Sequence, residues 1–72
     1  MDGNILDFNN IMWVRSALLA YLTGEQNLTW VVEVIDDGNN RVAAQHFLND
    51  LPDFGHPERR EVLRDRLQSN AA

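Results

Sequence analysis

The 72-residue sequence predicts an all-α fold, a small bundle of about four short helices. Three observations predict it. Residues 11–22, IMWVRSALLAYL, are apolar at ten of twelve positions, interrupted only by Arg15 and Ser16. Gly24, Gly38 and Gly55 punctuate the chain at the spacing of short helices. Residues 28–37 and 41–51 each place their polar side chains on one helical face.

The first segment organises the rest. An ordinary surface helix is apolar along one stripe. Here the wet strip is narrow, with Asn9, Ser16 and Thr23 at seven-residue spacing and Arg15 beside them. Such a helix needs cover on most sides, from the rest of the chain or from another copy. Asp7, Asn9 or Asn10 is expected to cap its start, and Gly24 to stop it. Residues 25–27 form a loop. Ahead of the helix, residues 1–7 are a polar lead in which Ile5 and Leu6 are available for packing. Residues 1–7 and 69–72 are expected to be flexible ends of a single domain spanning 1–72.

Residues 28–37, LTWVVEVIDD, admit two readings. As a helix, Thr29, Glu33, Asp36 and Asp37 fall at i, i+4, i+7 and i+8, one polar face, and Gly38 stops it as Gly24 stops the first. As a strand, favoured by its β-branched and aromatic content, the segment 28–36 gives an α+β fold and pairs with its own copy in a dimer. In that alternative the strand–helix–helix order over 28–68 resembles the ribbon-helix-helix arrangement of dimeric repressors, which implies DNA binding. The face that would read a groove, however, carries Thr29 and Glu33 where basic or amide residues are needed.

Asn39 or Asn40 is expected to cap the next helix, Arg41–Leu51. Its polar positions (41, 45, 46, 49, 50) alternate with apolar ones at helical period. Pro52 ends it. Asp53-Phe54-Gly55 is a turn whose Phe54 is expected to tuck into the core. His56-Pro57 opens the last helix, with proline at the first helical position. That helix runs to about Gln68. Its thin stripe of Val62, Leu63 and Leu67 predicts a peripheral, half-exposed element.

Composition bounds the function. A chain this short buries only about 60% of its unfolded surface, so small domains recruit disulfides, metals or oligomerisation. Cysteine is absent, which removes disulfides and thiolate metal sites. No cofactor is implied. The net charge is −5, unfavourable to a general grip on phosphates. All six basic residues are arginines, and four of them fall after residue 55. The start lacks a positive signal-peptide region, and the apolar run is too short for a bilayer. A soluble cytoplasmic protein of a bacterium or phage is expected.

Each chemical motif has a plainer reading. In a helix-turn-helix arrangement, 41–51 would present Arg41, Gln45, His46 and Asn49 to DNA, with one arginine as phosphate anchor and Asp36, Asp37 and Asp50 repelling the backbone. Residues 36–40, DDGNN, lack the alternation and closing Glu of a calcium loop. His46 and Asp50 at i, i+4 can meet, but no nucleophile accompanies them. In the last helix Glu61 and Arg64 can pair at i, i+3. Glu25, Glu33, Asp36, Asp37, Asp50 and Asp53 suggest an acidic face, either a solvated surface, a docking site or a DNA mimic.

The reading that remains is a small, acidic, non-enzymatic protein–protein interaction module, a regulator, inhibitor or adaptor that also self-associates as a homo-oligomer through the first helix. The expected interface residues are Trp13, Arg15, Leu18, Glu33, Asp36, Asp37, Arg59 and Arg66. The alternatives are a DNA-binding regulator, of helix-turn-helix or ribbon-helix-helix type, and an acidic DNA mimic.

Overall fold

The computed structural model describes residues 8–69. They form four helices, α1 (Phe8–Leu22), α2 (Leu28–Asp37), α3 (Arg41–Asp50) and α4 (Pro57–Ser69). The all-α bundle is therefore the fold. The strand alternative for 28–36 is corrected: the segment is helical throughout. Helix wins over β propensity because Val31, Val32 and Ile35 then fall on one side and reach the core together. The ribbon-helix-helix order disappears with the strand. The expectations placed on residues 1–7 and 70–72, Ile5, Leu6 and the Asp7 cap among them, lie outside the described residues. Ser69, expected to be loose, closes α4.

The core is built around α1, which contributes Val14, Ala17, Leu18, Tyr21 and Leu22. Val31, Val32 and Ile35 come from α2, Ala44 and Leu48 from α3, Leu51 from the residue after it, and Leu63 and Leu67 from α4. Each fully buried leucine stabilises the fold by roughly 1.5–3 kcal/mol relative to exposure. The chain itself thus covers most of the apolar circumference of α1, and no second copy is needed to cover Leu18.

Chain reversal is handled by backbone conformation. After α1, the Glu25 amide donates to Ala20 and the Gly24 amide to Tyr21, with Gly24 at φ +94°. This is a Schellman closure with glycine at the left-handed position. The same closure ends α2, where Asn40 donates to Ile35 and Asn39 to Asp36. Here the left-handed residue is Asn39, at φ 56°, and Gly38 at φ −92° is an ordinary C-cap. The expected role of Gly38 thus passes to Asn39, a residue type that tolerates this region.

Several caps also differ. Helix α1 begins at Phe8, which puts Asn9 and Asn10 inside its first turn. Asn27 caps α2, its Oδ1 accepting from the Trp30 amide at 2.8 Å. Asn40 occupies the cap position of α3 without making the side-chain bond; it is buried, and its Nδ2 has no partner among the described residues. Phe54 is not tucked inside. It is 41% exposed, at φ 53°, followed by Gly55 at φ 83°. The His56 amide donates to the Asp53 carbonyl, which closes a turn with positive φ at both central residues, as in type I′. The backbone thereby aims Phe54 away from the core.

Among its described side chains, helix α4 buries only Leu63 and Leu67, and Val62 is half exposed. It is held by polar clamps as well as by its stripe. Arg59 donates from Nε to the Tyr21 carbonyl at 2.7 Å and from Nη2 to the Gln26 carbonyl at 2.6 Å. At the other end Arg41 donates to the Leu67 carbonyl at 2.9 Å. Both arginines donate to carbonyls at helix ends or in the loop after α1.

Candidate functional site

Helical geometry selects what α1 leaves uncovered. The buried arc runs through positions 14, 17, 18, 21 and 22. Trp13 falls at its edge and is 52% exposed. Its ring meets that of Trp30 edge to face, with centroids 6.1 Å apart and planes at 85°, the arrangement that aromatic quadrupoles favour. Trp30 is half buried against the core. A large aromatic surface is therefore displayed in a defined orientation.

Trp30, Glu33, Val34 and Asp37 lie at i, i+3, i+4 and i+7 of α2 and so share one side of that helix. Trp30 and Val34 are half buried, while Glu33 and Asp37 are exposed. Glu33, Val34, Asp36 and Asp37 line a shallow depression. Asp36 is already engaged, its carboxylate held by Arg41 through Nε at 3.0 Å and Nη2 at 3.1 Å. Among the described residues no side chain pairs with Glu33 or Asp37. The surface reads, in order, as an indole pair, a valine and two carboxylates.

Of the expected interface residues, Trp13 meets Trp30, Glu33 and Asp37 are exposed on the Trp30 side of α2, and Asp36 is held by Arg41. The structure separates the others. Leu18 is fully buried, which corrects its assignment to an interface, since a partner cannot reach it in the folded chain. Arg15 is half buried and about 200° around α1 from Trp13, so the two do not form one patch. Arg59 is a structural clamp and not a free rim charge, because both its Nε and its Nη2 are committed to carbonyls. Arg66 is exposed on α4. Trp30 is absent from the expected interface; once 28–37 is helical, its spacing from Glu33 and Val34 is the signal that places it there.

The remaining motifs disperse. Asp53 accepts from the Gly55 amide at 3.1 Å and serves the turn. His46 and Asp50 are both exposed on α3, and no hydrogen bond or ion pair joins them. Arg41, the phosphate anchor of the helix-turn-helix reading, is spent on Leu67 and Asp36. Glu61 and Arg64 do pair, at 3.2 Å, and Arg64 also reaches Asn49. Among the described residues no group of acidic or histidine side chains has a metal-binding arrangement, and no helix is long and apolar enough to cross a membrane.

No protein-family model, characterised protein or solved structure matches this chain. Its functional reading therefore rests on the surface just described.

Proposed function

We propose that this chain is a non-enzymatic protein-binding module, a regulator or adaptor, whose docking face is the Trp13–Trp30 pair with Val34. The observation that carries the reading is Trp13, 52% exposed yet held edge-on by a second indole. Tryptophan is among the residue types that dominate binding energy when a partner covers them. A ring already held in place loses less rotamer freedom on binding, which leaves more of the contact energy as affinity.

Charge opposes symmetric self-association through this face. A two-fold contact places the same patch on both sides, which brings Glu33 and Asp37 of one copy towards those of the other. DNA binding is also disfavoured, because the carboxylates of this face repel phosphates.

The test uses the chain as bait in an extract of its source cells, beside Trp13→Asp, with the fold of both checked by circular dichroism. The expected result is a protein retained by the wild type, lost with Trp13→Asp, and forming a complex of fixed stoichiometry once purified. Equal retention by both baits would overturn the assignment of this face. A gel shift at low salt is expected to be blank, and a salt-sensitive shift would favour the DNA-binding alternative.

A further inference from the structure

We infer that the occupant of the Trp13–Trp30 face is a basic amphipathic segment of another protein, one or two large apolar side chains flanked by Lys or Arg. The inference rests on the docking face proposed above and adds the chemistry of the partner.

Two features of the face select that chemistry. Its centre is apolar and already shaped by the perpendicular indoles, so it favours an apolar side chain over a polar one. Its rim is anionic. Glu33 and Asp37 are exposed on the same side of α2 as Trp30 and Val34, one and two turns from Trp30, and among the described residues no side chain pairs with either. This differs from Asp36, which Arg41 pairs bidentately. Arg15 lies about 200° around α1 from Trp13. An acidic or neutral apolar segment would bury the indoles but leave the two carboxylates desolvated without a counter-charge, which is costly. A basic segment supplies the counter-charges and is steered towards the face by them.

A head-to-tail contact with a second copy is the nearest competitor. Val62, 49% exposed, sits four residues before Arg66 on α4, an apolar and basic pair of the same general kind. Such a contact is heterologous and extends into open chains unless its rotation closes.

The test titrates the full chain with a synthetic amphipathic peptide of leucine and lysine, and with its leucine–glutamate twin, following tryptophan emission and heat. The lysine peptide is expected to bind one to one with a blue shift, and the glutamate peptide not to bind. Glu33→Lys with Asp37→Lys is expected to weaken binding about tenfold or more. Asp50→Lys with Asp65→Lys changes net charge equally at exposed positions elsewhere and is expected to leave affinity within about twofold, the scale of a rim contact outside the interface. Trp13→Ala is expected to cost about tenfold or more.

Equal weakening by the two double variants would overturn the inference, because attraction would then follow net charge and not this face. Absence of binding by the lysine peptide would overturn it as well. Preference for the glutamate peptide, lost in Trp13→Ala, would overturn the basic partner while leaving the docking face standing. A molar mass that rises with concentration and falls back in Trp13→Ala would assign the face to a second copy instead.

Discussion

Tyr21 and Arg59 bind each other in both directions. The Tyr21 hydroxyl donates to the Arg59 carbonyl at 2.7 Å, Arg59 Nε donates to the Tyr21 carbonyl at 2.7 Å, and the guanidinium lies 4.4 Å over the phenol ring. Two residues far apart in sequence thereby fix the C-terminal end of α1 to the first turn of α4. The contact also explains how α4, with only two buried leucines, stays docked.

Truncating this clamp is expected to destabilise the fold. Arg59→Ala removes two charge-assisted bonds to carbonyls that water can then partly reach, a loss of about 1–3 kcal/mol. Arg59→Lys recovers only part of it, because one ammonium cannot match the planar fork or its stacking on the ring. Urea unfolding monitored by circular dichroism reads both. Arg59→Glu is expected to destabilise more than Arg59→Ala, since a carboxylate there would face the Tyr21 and Gln26 carbonyls.

Alkaline pH is expected to loosen the same contact. Burial pushes the Tyr21 hydroxyl above its ordinary value of 10.0; Arg59 pulls it back down and Glu58 adds to the rise. Above pH 10.0 the unfolded chain releases this proton while the folded chain keeps it, so folding stability falls as pH rises. The contribution is complete below the unfolded value and is lost as pH climbs through the folded one. Tyr21→Phe should flatten this arm of the profile. Tyr21 is the single tyrosine, so tyrosinate absorbance follows it alone, and a midpoint at or below the ordinary value would contradict the argument.

Asn39 and Phe54, both left-handed without being glycine, should respond in a predictable direction. Phe54→Gly removes a Cβ penalty of about 1–2 kcal/mol and is expected to raise the melting temperature. Asn39→Gly is expected to be neutral to mildly stabilising, and Asn39→Val to destabilise by about 1–2 kcal/mol, since a β-branched residue resists this conformation most. Thermal melts of the three variants check the series. A lower melting temperature for Phe54→Gly would mean that the ring contributes more packing than its exposure suggests.

Leu18 distinguishes core from interface. Leu18→Ala is expected to cost 2–5 kcal/mol, roughly the usual range for a buried leucine, with no change in oligomeric state. Leu18→Glu is expected to abolish cooperative unfolding, because it buries a charge among Val14, Leu22 and their neighbours. A folded Leu18→Glu with altered molar mass would restore the interface role that burial denies it.

The legible part of this protein was whatever depends on local periodicity and turn chemistry. The apolar run at 11–22, the polar face of 41–51 and Pro57 at the head of α4 were each readable because helical spacing places those residues regardless of what they meet. The fork at 28–37 was harder, since β-branched residues argued one way and the spacing of Thr29, Glu33, Asp36 and Asp37 the other. Trp13 at the edge of the apolar arc was also visible in the sequence, as were the carboxylates Glu33 and Asp37.

Tertiary structure decided the rest, because it depends on which helix ends meet. No spacing in the sequence shows that Arg59 reaches Tyr21 and Gln26, or that Arg41 reaches Leu67 and Asp36, and so which arginines are structural. No local rule shows that Trp30 would meet Trp13 edge to face, or that Leu18 would face inward while Trp13 stayed in water. Periodicity determines the face on which a side chain sits. Only packing determines whether that face is covered, and by what.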